Sequence, residues 1–183
     1  MSDLAFPSTL RTPRLRLSAW RLEDVEALRA ALDASDAHLR PWIPFMRAEP
    51  RSIEQTRSRV AGFIAFFVAG QHFRYAVWRQ PDGALVGEVM LLGRAGPHAL
   101  EVGYWLHSAH TGQGYAIEAV RALVDAAFTH PDIEALRFRC DVRNTPSNAL
   151  PRKLGARVIT TETLEEDGAP VVLNVWSLDR SEG

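Results

Sequence analysis

A strand that passes through two glycines into a helix is the feature that most restricts this chain. From Leu100 to Leu106, Leu100, Val102, Tyr104 and Leu106 alternate with Glu101, Gly103 and Trp105, which is the period-two pattern of a strand. Gly112 and Gly114 follow, and then Ala116, Ala119, Val120, Leu123 and Ala127 recur at helical spacing until Thr129-His130-Pro131-Asp132 ends the run. Glu134 to Val142 alternates again, Leu136, Phe138, Cys140 and Val142 against Arg137, Arg139, Asp141 and Arg143. Strand, helix and strand in this order imply a crossover and therefore one parallel strand pair. The glycine turn at the head of the helix exposes backbone N–H groups at its positive end, where a diphosphate is stabilised and small residues let it approach.

Two other phosphate-binding patterns fail against these residues. A P-loop needs lysine and a hydroxyl residue after its last glycine, and Gly114 is followed by Tyr115 and Ala116. A dinucleotide fingerprint needs a small third residue where Ile117 stands, and it opens an almost wholly parallel unit. Here a hairpin precedes it: His72 to Arg79 and Ala84 to Leu92 are β-rich runs around the turn Gln80-Pro81-Asp82-Gly83.

The remaining chain supplies further elements of a mixed α/β (α+β) fold. Arg14-Leu15-Arg16-Leu17 reads as a strand, and Val25, Leu28, Ala31 and Leu32 lie on one face of a helix within Glu23 to Leu32. Pro41, Pro44 and Pro50 interrupt Ser35 to Pro50, a covering loop that carries Trp42 and Phe45. Ser52 and Gln55 form a capping pair for a helix to Ala69. Ser147 to Leu154 predicts a short helix ending at Gly155, and strands at Val158 to Leu164 and Val171 to Leu178 flank the turn Glu165-Glu166-Asp167-Gly168. Seven strands are expected, mostly antiparallel, with one central parallel pair and helices on both faces.

Composition narrows the function classes. With 183 residues, 46% of them apolar, one substantial core and a single domain spanning 1–183 are expected. A net charge of -1 with scattered acids and bases gives no basic stripe, so nucleic acid is not an expected partner. Cys140 stands alone, which fits a reducing compartment and excludes a disulfide framework within the chain. The first residues, Met1 to Phe6, lack a signal-peptide pattern, and the longest apolar run, Ala61 to Gly70, is too short to span a bilayer. A soluble, cytoplasmic protein without a membrane partner is expected. His107 and His110 lack acidic or cysteine partners at ligand spacing, so no metal is expected.

Taken in order, these segments resemble the GCN5-related N-acetyltransferases (GNAT), and within them the RimJ/RimL-like ribosomal-protein N-acetyltransferase group. The resemblance rests on Thr12-Pro13-Arg14-Leu15-Arg16-Leu17, His38-Leu39-Arg40-Pro41-Trp42-Ile43-Pro44, and the Glu101-Val102-Gly103-Tyr104-Trp105-Leu106 strand with Gly112-Gln113-Gly114-Tyr115-Ala116. It extends to Asn144-Thr145-Pro146-Ser147 and Lys153-Leu154-Gly155-Ala156. It implies transfer of an acetyl group from acetyl-CoA to a primary amine, a protein N-terminus or a small molecule, by direct attack. It also implies a homodimer.

By the same resemblance, Thr111, Gly112, Gln113, Gly114, Tyr115 and Ala116 would hold the pyrophosphate, and Tyr104, Trp105 and Leu106 would pair with the pantetheine like an added strand. Thr111 departs from the usual glutamine or arginine, Ala156 from the usual phenylalanine, and Pro151 falls within the last short helix. Glu101 is the candidate base and Ser147 the candidate proton donor to the thiolate, with Asn144 ordering that site or bonding the pantetheine. Each has an ordinary structural role as well: an arginine-paired strand carboxylate for Glu101, and helix capping for Asn144 and Ser147. Trp42, Phe45, Glu54 and Trp105 are the candidate acceptor-binding residues, against core aromatics and a helix-surface acid. Cys140, on an apolar face, is expected to be buried and inert. The alternatives in other classes are a non-catalytic acyl-CoA sensor or peptide-binding module on the same fold and, more distantly, a nucleotide-dependent oxidoreductase.

Overall fold

The computed structural model describes residues 4–80, 82–166 and 168–180. Met1 to Asp3, Ser181 to Gly183, and Pro81 and Asp167 of the two turns expected from the sequence lie outside the described residues. The elements follow in the order β1 (Thr9–Arg11), β2 (Leu15–Ala19), α1 (Val25–Ala34), α2 (Asp36–Leu39), α3 (Ile53–Val68), β3 (His72–Arg79), β4 (Leu85–Leu92) and β5 (Ala99–Leu106). After these come α4 (Tyr115–Ala127), β6 (Ala135–Asp141), α5 (Thr145–Lys153), β7 (Arg157–Glu166) and β8 (Ala169–Asp179). One sheet runs in the order β1-β2-β3-β4-β5-β6-β8-β7. Among the described residues only β5 and β6 pair in parallel.

The sheet has eight strands where the sequence predicts seven. The extra one, β1, pairs three residues with β2 in antiparallel register, and three residues are too few to show alternation. The covering segment also differs from a plain loop: α2 forms before the prolines and a 3₁₀ turn spans Pro44–Ala48. Pro44 stands at the start of that turn, where its missing N–H costs nothing.

Two cores cover the two faces. Leu17, Tyr75, Val89, Val102, Leu123 and Phe138 belong to the core beneath α4, whereas Trp20, Leu28, Val60, Met90 and Trp105 belong to the core shared with α1 and α3. Strand β4 lies between them and is buried at all eight positions. Helix α3 starts with the expected reciprocal cap: Ser52 Oγ accepts from the Gln55 N–H at 3.2 Å, and Gln55 Oε1 accepts from the Ser52 N–H at 2.9 Å. The charged residues of β5 and β6 that alternate with the α4 core face the α1/α3 side, which sets Glu101 opposite Tyr104 across the sheet.

Candidate functional site

The parallel pairing of β5 with β6 lasts for three residues, Ala99 with Ala135 through Glu101 with Arg137. Beyond it β5 stays with β4 as far as Leu106, while β6 stays with β8 as far as Asp141. The two strands therefore diverge after Glu101. Alternate residues of β5 turn their main-chain N–H and C=O toward the resulting gap, where an extended ligand can pair with them.

The glycine turn stands at the head of α4 beside this gap. Gly112 and Gly114 have φ of 73° and 78°, a left-handed backbone that glycine adopts without strain. The first helical donor is Glu118, whose N–H reaches Gly114 O at 3.2 Å, so the N–H groups of Tyr115, Ala116 and Ile117 have no partner inside the helix. Thr111 Oγ1 donates to Ser108 O at 3.1 Å and Gln113 Nε2 to Ala109 O at 3.3 Å. Both side chains tie back to the preceding turn and leave the main chain of residues 111–114 exposed. This arrangement suits a diphosphate through backbone donors, without a long side chain at Thr111.

On the α4/α5 side of the gap, Tyr104, Cys140 and Ser147 converge. The Tyr104 hydroxyl donates to Ser147 O at 2.9 Å and lies 3.1 Å from Ser147 Oγ, which donates to Cys140 Sγ at 3.3 Å. Pro151 explains this contact. As the residue four positions after Ser147 it has no N–H for the Ser147 carbonyl, and Tyr104 supplies the missing donor. Asn144 caps α5, its Oδ1 accepting from the Ser147 N–H at 3.2 Å. Burial raises the Tyr104 hydroxyl well above its ordinary pKa, and it raises the Cys140 thiol against hydrogen bonds from Ser147 and Tyr104. A buried, protonated Cys140 fits an inert thiol.

Asn148 was not singled out in the sequence, yet it fixes α5 in place. Its Nδ2 donates to Asp141 O and Asn144 O at 2.7 and 2.8 Å, and its Oδ1 accepts from Asn174 Nδ2 and Trp176 Nε1 at 2.9 and 3.0 Å.

On the opposite face Glu101 is buried at the root of the gap and bound by Arg94, Nε to Oε2 at 3.0 Å and Nη2 to Oε1 at 2.6 Å, with Arg139 Nη1 at 3.8 Å. The arginine-paired carboxylate is thus present. A carboxylate offers about four acceptor sites, so the Arg94 fork leaves room for water on Glu101.

The same face holds a buried cluster that the sequence reading missed. Glu88 is 1% exposed; its Oε1 accepts from Trp20 Nε1 and Arg74 Nε, both at 2.8 Å, and its Oε2 from Arg74 Nη2 and Trp105 Nε1, both at 2.7 Å. Burial opposes the ionised form, but the Arg74 charge and these hydrogen bonds outweigh it and hold the carboxyl below its ordinary value. An acid inside the otherwise apolar run Leu85-Val86-Gly87-Glu88-Val89-Met90 was the available signal, since a strand buried on both faces cannot solvate it.

Trp105 and Phe45 stand on this side together. Arg74 stacks over Phe63 at 3.9 Å and Arg59 over Phe45 at 3.9 Å, so a run of contacts leads from the Trp105–Glu88 pair to the covering segment. Desolvation lowers the Arg59 guanidinium to about 10. Trp42 is exposed, and Glu54 is exposed at the start of α3, its pKa lowered first by the Ser52 hydrogen bond. Neither joins the Glu88 cluster. Arg47 of the covering segment pairs with Glu166 at the end of β7, which brings the covering segment to the β7–β8 hairpin.

A groove of about 460 Å³ adjoins the glycine turn, lined by Gly114, by residues 11–14 and by the α4 face bearing Ile117, Glu118 and Arg121. None of the candidate catalytic residues lines it. No group of His, Cys, Asp and Glu suited to a metal occurs among the described residues, and no described helix is long and apolar enough to cross a membrane.

Known proteins share this architecture. The ribosomal-protein-serine acetyltransferase of Escherichia coli (strain K12) is 28% identical over 116 residues, 62% of this chain, and the chain spans 61% of that relative's length. RimL, a ribosomal L7/L12 alpha-N-protein acetyltransferase solved in complex with coenzyme A, matches with a TM-score of 0.84 at 24% identity, covering 95% of this chain and 97% of that one. The microcin C7 self-immunity acetyltransferase MccE, solved with acetyl-CoA and AMP, matches with a TM-score of 0.87 at 17% identity over the same shares of the two chains. The family model described as "Acetyltransferase (GNAT) domain" matches residues 14–157, well over half of the sequence. The diverging β5 and β6, the glycine turn and this match together mean that the chain belongs to the GNAT acetyltransferase family.

Proposed function

We propose that the protein is an N-acetyltransferase of one domain that moves an acetyl group from acetyl-CoA to a primary amine by direct attack in a ternary complex. The observation that carries the reading is the coincidence of three features at one gap: exposed N–H groups of the glycine turn, unpaired main chain of β5, and the Tyr104–Ser147 pair. The N–H groups from Gly112 to Ala116 hold the diphosphate, and residues 104–106 bond the pantetheine. Acetyl-CoA supplies the thioester.

Each side chain then has a limited task. An α-amine titrates near 7.7 to 8.0, so a water held by Glu101 suffices to accept its proton, whereas a lysine amine near 10.4 demands more. Main-chain N–H groups of β5 facing the gap stabilise negative charge on the thioester oxygen. Ser147 Oγ, hydrogen-bonded within the Tyr104 and Cys140 cluster, gives a proton to the leaving thiolate and takes one back from water, which balances the proton the amine released at Glu101.

The acceptor approaches on the α1/α3 side, between the covering segment and the β7–β8 hairpin, and is a protein N-terminal α-amine or a small amine. That RimL is a ribosomal L7/L12 alpha-N-protein acetyltransferase supports a protein N-terminus as the first acceptor to test. The test is calorimetric titration with acetyl-CoA of the natural protein and of Gly114→Glu, which strains the left-handed turn at φ 78° and adds a negative charge beside the cradle, next to Arg14. Binding that disappears in the variant supports the reading. No binding by the folded natural protein overturns it.

A further inference from the structure

Arg14 lies beside the cradle although it precedes Glu118 by 104 residues. Thr12, Pro13 and Arg14 form the turn between β1 and β2, and this turn grips the first turn of α4. Glu118 Oε1 accepts from Thr12 Oγ1 at 2.6 Å and from the Arg14 N–H at 3.0 Å, and Glu118 Oε2 accepts from Arg14 Nε at 2.6 Å. The same guanidinium reaches Gln113 O through Nη1 at 3.0 Å and lies over the Tyr115 ring at 4.7 Å. One side chain therefore touches Gln113, Tyr115 and Glu118, on both sides of Gly114.

Stability alone explains little of this, since Arg14 is 48% exposed and an exposed ion pair contributes about 0 to 1 kcal/mol. Two consequences for the turn are specific. In a trans peptide the C=O of one residue and the N–H of the next point in opposite directions. Holding Gln113 O toward Arg14 therefore turns the Gly114 N–H away from it, and a flexible Gly-Gln-Gly turn otherwise has no side chain to fix that peptide plane. Glu118 also sits in the first turn of α4, where a free carboxylate repels a bound phosphate; Arg14 cancels that charge.

We propose that Arg14 is a positioning residue for the diphosphate cradle, orienting the Gln113–Gly114 peptide and neutralising Glu118. The inference rests on the acetyl-CoA reading above. It is tested by titrating acetyl-CoA into the natural protein, Arg14→Ala and Arg14→Lys, by calorimetry and by following backbone amide resonances. Arg14→Ala should remain folded, bind about tenfold more weakly, a factor that corresponds to about 1.4 kcal/mol, and lose the ligand-induced shift of the Gly114 amide. Arg14→Lys, which keeps charge without the planar fork, should fall between. Equal affinity in Arg14→Ala, or weaker binding with an unaltered Gly114 shift, overturns the positioning role. If the natural protein itself fails to bind acetyl-CoA, the acetyl-CoA reading fails first, which is a distinct result.

Discussion

The Tyr104 hydroxyl donates to the main-chain carbonyl of Ser147 at 2.9 Å because Pro151, one helical turn further on, has no N–H to offer it. A proline in a nine-residue helix thus fastens β5 to α5 and sets the serine that faces the gap.

Tyr104→Phe should remove that donor and cost about 1 kcal/mol of stability, since only the weak Cys140 thiol at 3.6 Å is left to the carbonyl. Pro151→Ala restores an N–H at the helical position and should make the loss of the Tyr104 hydroxyl cheaper. A double-mutant cycle by urea unfolding measures this coupling. Strict additivity of the two substitutions would show that the proline and the tyrosine act independently.

Glu88→Ala should be among the most damaging single substitutions, about 3 to 5 kcal/mol, because it leaves Arg74 and two indole N–H groups buried without their acceptor. Equilibrium unfolding of the variant beside the natural protein gives the number. A stable, fully folded Glu88→Ala would mean that water replaces the carboxylate.

Acid should weaken the fold through the same group. The folded pKa of Glu88 lies below its ordinary value of 4.5, and so does that of Glu118, where burial is outweighed by bonds from Thr12 and Arg14. Both contributions are complete above the unfolded value and are lost as pH falls through the depressed folded values. Thermal midpoints should hold from pH 7 to about 5 and then fall. Glu118→Gln should make that fall less steep.

Glu101→Gln should lower kcat by about 100-fold while leaving acetyl-CoA affinity unchanged, the pattern for a group that acts on the amine proton. Steady-state kinetics with an N-terminal serine peptide and calorimetry on the same preparation separate the two. Unchanged kcat would restrict Glu101 to its ion pair with Arg94.

Asn148→Ala should loosen α5 by about 2 kcal/mol, since the Trp176 indole N–H and the Asn174 amide lose their acceptor, while Asp141 O and Asn144 O each keep a main-chain donor. Hydrogen exchange at the amides of residues 150–154 reports it locally. Exchange rates equal to those of the natural protein would refute the anchoring role.

Local pattern alone carried much of this molecule. Period-two alternation identified β5 and β6 within a residue or so, a β-rich run beside turn residues identified β3, the Ser52–Gln55 pair marked the start of α3, and the glycines of 112 and 114 announced the turn, because each depends on neighbours in sequence. The three-residue β1 and the short turns of 36–48 were not legible, since their stability comes from pairing and packing rather than from a repeating pattern. The residue types Glu101, Tyr104, Asn144 and Ser147 were legible as candidates. Glu88 and the partners were not: Arg94 for Glu101, Trp20, Arg74 and Trp105 for Glu88, and Arg14 for the glycine turn meet through strand register and helix docking. Sequence by itself determined where main chain could be strand, helix or left-handed turn, because those preferences are local. Tertiary structure alone decided which charges would be buried together and which distant hydroxyl would take up the carbonyl that Pro151 frees, because such contacts exist only once the sheet and helices have packed.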